Sequence, residues 1–156
     1  MFNLFNDKPV VGKASTVIRK SERHVFNFIG TELLVNYPRW SPEVRELEKL
    51  TDGPLGLGTI CRQVRIDQGN RSESTFKIVS FEPHMHICFD GVSNPFRCDY
   101  LLQPADPAAT QITFTFELLS LDLHMRPFEK LIRIAIQDGA ERTVRNIKRL
   151  IEADSF

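Results

Sequence analysis

The chain has 156 residues, of which 42% are hydrophobic and 26% are charged, and its 20 basic residues balance its 20 acidic residues. This is the composition of a globular protein of ordinary domain size, and balanced charge gives no overall field to attract a nucleic acid or an anionic membrane. No apolar run approaches the roughly 20 residues that a membrane-spanning helix needs. We therefore expect a single domain over residues 1–156, with no nucleic-acid partner and no stable membrane insertion.

The N-terminal sequence and the cysteines indicate the compartment. The stretch "MFNLFNDKPVVGK" lacks the basic start, long apolar run and cleavage site of a secretory signal. The 3 cysteines have no C-x-x-C spacing, which is typical of reduced thiols in a reducing compartment. We expect a cytoplasmic protein in which residues 1–9 form a flexible N-terminal segment.

The first quarter of the chain predicts one strand and two short helices. Residues 10–20, "VVGKASTVIRK", are mostly β-branched or small and favour a strand. Ser21 is a good N-cap for a helix over "ERHVFNFI", which Gly30 would end. A second helix, "TELLVNY", should stop near Tyr37, because Pro38 disfavours the helical conformation in the residue before it.

From residue 44 to residue 120 the hydrophobic period is that of strands, with turn sequences such as "TDGPLGLG" and "DQGN" between them. The predicted strands are 44–51, 59–67, 72–82, 85–91, 96–103 and 110–120. Short connections favour antiparallel neighbours, because a parallel return needs a crossover of about a dozen residues or more. Together with the first strand, these segments predict a seven-stranded antiparallel sheet.

Alternation within the strands assigns one dry and one wet face to the sheet. The side chains assigned to the dry, inward face are Ile112, Phe114, Phe116 and Leu118; Phe96, Cys98, Tyr100 and Leu102; Ile60, Arg62, Val64 and Ile66; and Phe76 and Ile78. Arg62 is the exception in this apolar set, and the same assignment turns Cys61 outward. A buried guanidinium is costly unless it is paired. Either Arg62 meets a carboxylate, a backbone carbonyl or an anionic ligand group, or the strand is shifted by one residue and Arg62 lies in solvent.

The C-terminal part of the chain, from Pro127 to Ala153, shows the 3.6-residue period of an amphipathic helix. Its apolar stripe consists of Phe128, Leu131, Ile132, Ala135, Ile136, Ala140, Val144, Ile147, Leu150 and Ile151. A helix of this length spans about 38 Å, enough to cross a small sheet. Gly139 interrupts the helix at a cost of about 1 kcal/mol relative to alanine, which indicates either room for a ligand or a bend.

Five short stretches mark this order of elements: "STVIRKSERHVFNFI", "YPRWSPEV", "DGPLGLGT", "IVSFEP" and "IKRLIEA". In this order and spacing the chain resembles, over nearly its whole length, the START and Bet v 1-like (SRPBCC) superfamily, in its polyketide cyclase/dehydrase-like branch. The resemblance implies an α+β helix-grip fold of the order β-α-α-β6-α, in which a curved antiparallel sheet wraps the long C-terminal helix. It also implies an apolar cavity between sheet and helix that binds lipids, polyketides or other hydrophobic molecules.

The inward side chains and the helix stripe define the expected cavity. Its predicted lining is Tyr37, Trp40, Arg62, Val64, Phe76, Ile78, Phe89, Phe96, Tyr100, Phe114, Phe116, Phe128, Ile132, Ala135 and Ile136. The 12 phenylalanines of the chain either fill a solid core or, if sheet and helix do not interdigitate fully, line a pocket. Arg62 and Tyr100 are the candidates for polarising a ligand carbonyl, although Tyr100 is alternatively a core ring with its hydroxyl at the rim.

The segment "VNYPRWSPEV", residues 35–44, holds the only tryptophan of the chain, Trp40, between two prolines. The prolines stiffen the passage from the second helix to the second strand. The Trp40 ring either closes one end of the cavity or packs as core under the helix pair.

The sequence predicts no metal and no cofactor. In "HMHICFD" the metal-binding residue types His84, His86, Cys88 and Asp90 share one side of a strand. The apolar residues between them claim the inner face, so these four would lie on the solvated side without a closed ligand shell. The glycines of "GPLGLG" run G-x-x-G-x-G and lead into a strand, so this stretch is a turn rather than a dinucleotide site.

Three functions compete at this stage. In the first, the cavity takes up a lipid-like, isoprenoid or polyketide-like molecule for carriage, storage or sensing. In the second, it holds a polyketide-like substrate for a cyclase, aromatase or dehydratase reaction. In the third, the protein is an interaction module or delivers a quinone-type lipid at a membrane. A mostly apolar lining favours the first, because an enzyme needs a proton donor or acceptor within reach of its substrate. The open edges of the sheet allow a homodimer.

Overall fold

The computed structural model describes residues 8–154, so the segment 1–9 set apart above lies mostly outside the described residues. The strands are β1 (Val10–Ile18), β2 (Val44–Lys49), β3 (Ile60–Asp67), β4 (Asn70–Glu82), β5 (His86–Gly91), β6 (Phe96–Asp106) and β7 (Ala109–Leu118). The helices are α1 (Glu22–Phe26), α2 (Leu33–Trp40) and α3 (Glu129–Ala153), with a π-helical turn at Asn27–Thr31 and a 3-10 helix at Leu123–Phe128. Within the described range no helix is long and apolar enough to cross a membrane.

The strands of residues 8–154 form one seven-stranded sheet in the order β1-β7-β6-β5-β4-β3-β2. Every neighbouring pair is antiparallel. Each connection from β2 to β7 is a hairpin, and the excursion through α1 and α2 carries the chain from one edge strand, β1, to the other, β2. The predicted helix-grip arrangement of a curved sheet, a helix pair and a long C-terminal helix is confirmed.

The helix pair differs from the prediction in two places. Gly30 does not stop the chain, which continues through the π-helical turn into α2. A side chain at Gly30 would overlap Ile87 of β5, so glycine lets this turn lie directly on the sheet. The expected stop near Tyr37 is wrong, because α2 includes Pro38 and ends at Trp40. The burial of Tyr37 and Trp40 outweighs the single backbone hydrogen bond that the proline removes.

The two halves of α3 have different surroundings. In the second half Ala140, Val144, Ile147 and Ile151 are buried in the core. In the first half Leu131 of the same stripe is 66% exposed, and Ile132, Ala135 and Ile136 are not fully buried. The helix begins at Glu129, so Phe128, predicted as part of its apolar stripe, belongs to the preceding 3-10 helix and is 51% exposed. The first half of α3 therefore leaves the sheet partly uncovered beneath it.

Polar side chains of α3 fasten the helix to the free edge of β1. The backbone N–H of Lys13 donates to Gln137 Oε1 at 3.0 Å, and Gln137 Nε2 donates back to the Lys13 carbonyl at 2.9 Å. Further along, the backbone N–H of Arg19 donates to Glu152 at 3.0 Å. These bonds occupy backbone groups that an edge strand would otherwise offer to another chain. Dimerisation through a sheet edge stays a prediction.

Candidate functional site

A cavity of about 940 Å³ lies between the sheet and the first half of α3. Its apolar walls are Phe96, Phe114 and Phe116 from the sheet and Ile132, Ala135 and Ile136 from the helix. Exposed side chains at its rim, among them Gln68, Asn94 and Arg142, show that it opens to solvent. The volume falls within the range of pockets that enclose small organic ligands.

A large part of the lining expected from the sequence borders this cavity. These residues are Tyr37, Trp40, Phe96, Tyr100, Phe114, Phe116, Ile132, Ala135 and Ile136. The Phe96 and Phe116 rings are stacked, with centroids 6.2 Å apart and an interplanar angle of 12°. The contact of these side chains with a ligand stays a prediction.

The closed end of the cavity is a cluster of aromatic rings around Trp40. The Trp40 ring centroid lies 5.5 Å from that of Tyr37 and 5.9 Å from that of Tyr100. The Tyr100 ring lies edge-on to the Trp40 indole, and the Asn146 amide donates to the Trp40 carbonyl at 3.0 Å. Trp40 is thus both a buried core residue, 2% exposed, and part of the cavity wall. Burial raises the pKa of Tyr100 well above its usual value, so its hydroxyl keeps its proton, and its role toward a ligand carbonyl stays a prediction.

Three side chains that were predicted to line the cavity are packed in the core instead. Phe76, Ile78 and Phe89 point inward and are fully buried, each 0% exposed. The Phe76 and Phe89 centroids are 4.3 Å apart, and the Tyr37 ring lies 6.2 Å and 5.8 Å from them. Tyr37 fills the space above these side chains, so they do not border the cavity.

The predicted facing of β3 is wrong by one residue. Cys61, Gln63 and Arg65 face inward, whereas Arg62 and Val64 lie on the outer face of the sheet. Arg62 donates through Nε to Glu73 at 2.8 Å, and its Nη1 lies 3.4 Å from Glu46 and 3.5 Å from Glu48.

The cause of this error is physical. Cys61 pairs across the ladder with the inward Phe76, which fixes the strand, and both are 0% exposed. Further along β3, the inward side chains meet an open cavity rather than packed core, so they are polar. On the outer face the ion pairs of Arg62 hold long side chains beside Val64, which is 2% exposed.

Arg65 is the charged group that the structure places at the inner wall. Its Nε and Nη2 atoms donate to the two carboxylate oxygens of Asp67 at 3.2 Å and 3.1 Å, and Nη2 lies 3.9 Å from Glu43. Its remaining nitrogen, Nη1, lies 3.5 Å from the Tyr37 hydroxyl and 3.4 Å from the Ser41 hydroxyl. All of these groups border the cavity.

The protonation states at this wall follow from burial and charge. Burial raises the pKa of Tyr37 well above its usual value, and the nearby Arg65 offsets this only partly. Burial lowers the pKa of Arg65, but Tyr37, Asp67 and Glu43 outweigh that effect and raise it overall. At neutral pH the wall therefore presents a neutral phenol and a charged guanidinium.

Gln63, the next inward residue along β3, is 2% exposed. Its Nε2 donates to Ser74 Oγ at 3.3 Å. Its Oε1 is buried and has no hydrogen-bond partner among residues 8–154. A buried amide oxygen without a donor is uncommon, because its desolvation is not compensated. The cavity wall therefore contains one unused acceptor.

The thiols at and near the cavity are not activated. Burial raises the pKa of Cys98, which borders the cavity, and raises that of the inward Cys61 to about 11. Both are protonated at neutral pH, and a protonated thiol is a poor nucleophile.

The histidine motif on β5 forms a hydrogen-bonded cluster on the outer face. His86 Nδ1 lies 2.7 Å from Ser80 Oγ and its Nε2 lies 2.8 Å from Asp99. Asp90 is paired with Arg97 at 2.7 Å. In the part of the chain that the structure describes, no three side chains of metal-binding type lie close enough to hold an ion.

The polar cavity residues that the sequence reasoning missed lie in one stretch, "QVRID", and opposite it. They are Ser41, Glu43, Gln63, Arg65, Asp67, Ser72 and Ser74. A signal was present, because Gln63, Arg65 and Asp67 alternate and so share one face of β3. The signal was overlooked because the inner face was assumed to be dry along its whole length.

A family model matches almost the whole chain. Residues 12–152 match the family model described as "Polyketide cyclase / dehydrase and lipid transport". No curated protein matches the chain.

Solved structures share the fold at low sequence identity. The aromatase/cyclase ZhuI from Streptomyces sp. R1128 superposes with a TM-score of 0.75 at 11% identity, over 91% of this chain and 93% of that one. The protein TTHA0849 from Thermus thermophilus gives 0.71 at 17% identity, over 94% and 99%. Ara h 8.0201 gives 0.65 at 13% identity, over 92% and 98%. These identities support a common fold and no more.

Proposed function

Because this chain belongs to the polyketide cyclase/dehydrase and lipid transport family, we propose that it binds a hydrophobic, ring-containing small molecule in the cavity between the sheet and α3. The apolar body of the ligand lies between Phe114 and Phe116 on one side and Ile132 and Ile136 on the other. Aromatic side chains pack well against flat rings, by stacking or edge-to-face contact.

The observation that carries this proposal is the cavity itself. About 940 Å³ is left unfilled beside a core that is otherwise closely packed, and its helix wall comes from the same apolar stripe that buries the second half of α3. Concave sites of this size with apolar walls and a few polar groups are where proteins commonly bind small molecules. A ligand would replace solvent along this wall and contribute the free energy of burying its apolar surface.

A second candidate function is catalysis of a cyclase or aromatase type reaction in the same cavity. It is favoured by Arg65 and Tyr37, which reach the inner wall together as a fixed cation and a neutral phenol. Such a pair would stabilise charge that develops on a substrate carbonyl oxygen, and the phenol would supply a proton. Turnover of a poly-β-ketone substrate that is lost in Tyr37→Phe would favour this function over simple carriage.

Binding is tested with N-phenyl-1-naphthylamine, an uncharged fluorophore that brightens in apolar surroundings. We expect saturable enhancement with the wild-type protein and strong weakening in Gly139→Trp. A Cβ at Gly139 meets only the Arg142 side chain, at 3.9 Å, so an indole there has room to enter the cavity. Native mass spectrometry of the purified protein would show any hydrophobic molecule that copurifies.

The matched control is Ile134→Trp, which places the same ring on the exposed side of the same helix. It should bind the fluorophore as the wild type does. Binding that is absent in the wild type, or equal in the two tryptophan variants, contradicts the proposed site.

A further inference from the structure

Few hydrogen-bonding groups of the inner wall are left for a ligand. Most of the Arg65 guanidinium is already paired within the protein. Two nitrogens of the guanidinium are engaged by both oxygens of Asp67, at 3.2 Å and 3.1 Å. This is the forked geometry by which arginine recognises a carboxylate, and it is already satisfied within the protein. Nη1 makes only long contacts, 3.5 Å to the Tyr37 hydroxyl and 3.4 Å to the Ser41 hydroxyl, so it is the nitrogen with hydrogen-bonding capacity left for a ligand oxygen.

The charge at this wall does not favour an anion. One guanidinium, Arg65, faces two carboxylates, Glu43 and Asp67, so the local sum is one negative charge. Asp67, Glu73 and Arg142 are exposed, so water screens their charge, and Glu73 is also paired with Arg62. A ligand carboxylate at the inner wall would lose hydration without gaining an unpaired cation, because Arg65 is already paired with Asp67 and Glu43.

Gln63 favours a ligand that can donate a hydrogen bond. Its Oε1 is buried without a partner among residues 8–154, while its Nε2 is held by Ser74. Gln63 and Arg65 are two residues apart on one strand face, so their Cα atoms are separated by about 7 Å. A ligand hydroxyl group can accept from Arg65 Nη1 and donate to Gln63 Oε1, directly or through a second oxygen of the ligand. A carboxylate has no proton to donate.

We propose that the cavity selects a neutral ligand bearing a hydroxyl group, such as a phenol, an alcohol or a hydroxy ketone, and discriminates against carboxylates of the same shape. Gln63 reads the hydroxyl proton, and Asp67 keeps Arg65 from binding an anion. This selectivity rests on the proposed function, because it concerns the polar end of the same ligand.

The experiment uses three probes with one ring system: 2-methylnaphthalene, 2-naphthalenemethanol and 2-naphthoate. Each displaces N-phenyl-1-naphthylamine from the wild-type protein at neutral pH. We expect the alcohol to bind about tenfold more tightly than the carboxylate and more tightly than the methyl compound, because only the alcohol satisfies both side chains. Carboxylate binding equal to or tighter than alcohol binding would overturn the selectivity while leaving the binding function intact.

Two variants test the assigned residues. Gln63→Leu should remove the preference for the alcohol over the methyl compound. Asp67→Asn should reduce the ratio of alcohol affinity to carboxylate affinity severalfold. The exposed Gln103 of β6, outside the cavity lining, supplies the control Gln103→Leu, which should leave all three affinities unchanged. Thermal melts of every variant show whether it is folded before its affinities are compared.

The outcomes separate the two proposals. If the fluorophore binds but the three probes have equal affinities, or Asp67→Asn leaves the ratio of alcohol to carboxylate affinity unchanged, the proposed selectivity is wrong and the cavity function stands. If neither the fluorophore nor any probe binds to the folded wild type, the cavity function fails and the selectivity fails with it.

Discussion

Arg62 and Arg65 carry the same side chain on one strand, and their positions on opposite faces of the sheet give them different roles. Arg62 lies among three glutamates on the outer surface. Arg65 is partly buried, lies beside the Tyr37 phenol and borders the cavity. An exposed ion pair contributes little to stability, whereas a charged donor beside a desolvated ligand contributes more.

This difference predicts opposite results for one substitution made at two positions. Arg65→Met should weaken binding of 2-naphthalenemethanol by about tenfold, the loss expected for one hydrogen bond to a charged donor. Arg62→Met should leave that affinity unchanged. Fluorophore displacement measures both, and equal losses in the two variants would contradict the inward placement of Arg65.

At the scale of elements, α3 is one continuous helix with two kinds of contact. At Gly12 of β1 an added Cβ would lie 2.6 Å from the Ile136 side chain and from its carbonyl oxygen, so strand and helix meet without a side chain between them. At Gly139, which borders the cavity, an added Cβ has open space apart from Arg142. The glycine at the first position is required by packing, and the glycine at the second is not.

Alanine at these two glycines should therefore change stability in opposite directions. Gly139→Ala should stabilise the protein by about 1 kcal/mol, because alanine has the higher helix propensity. Gly12→Ala should destabilise it by about 1–3 kcal/mol, because the backbone must shift to admit the methyl group. Urea unfolding measures both, and destabilisation by Gly139→Ala would show that the apparent space is not available.

For the whole molecule, the cavity links ligand binding to stability. Without a ligand, the walls of the cavity lack the apolar contacts that the closely packed core around Phe76 and Phe89 provides. A ligand that binds only the folded state stabilises it in proportion to the logarithm of its concentration.

This linkage predicts a thermal shift. N-phenyl-1-naphthylamine at a hundred times its Kd should stabilise the fold by about 2.7 kcal/mol and raise Tm by about 5–10 °C. Gly139→Trp should show a much smaller shift at the same concentration, since its cavity is occupied by its own indole. A wild-type Tm that does not respond at saturation would show that the fluorophore binds outside the folded cavity.

The sequence was most informative where one face of an element is buried throughout. The alternation of Ile112, Phe114 and Phe116 predicted the facing of β7, and the 3.6-residue stripe predicted α3 nearly to its ends. The order of elements predicted the helix-grip fold for the same reason, since burial of apolar surface fixes which elements can pack together. Seven of the nine predicted lining residues that border the cavity belong to such patterns, and the other two, Tyr37 and Trp40, come from the proline-flanked segment.

Tertiary structure alone decided the polar wall. On β3 both faces carry apolar and charged residues, so the period does not distinguish them, and the pairing of Cys61 with Phe76 sets which face is inward. It also decided that Tyr37 fills the space above Phe76 and Phe89 while the first half of α3 leaves a gap. Hydrophobic periodicity indicates which side chains are buried. Whether two facing surfaces pack together or leave a cavity depends on the volumes of side chains that are distant in the sequence.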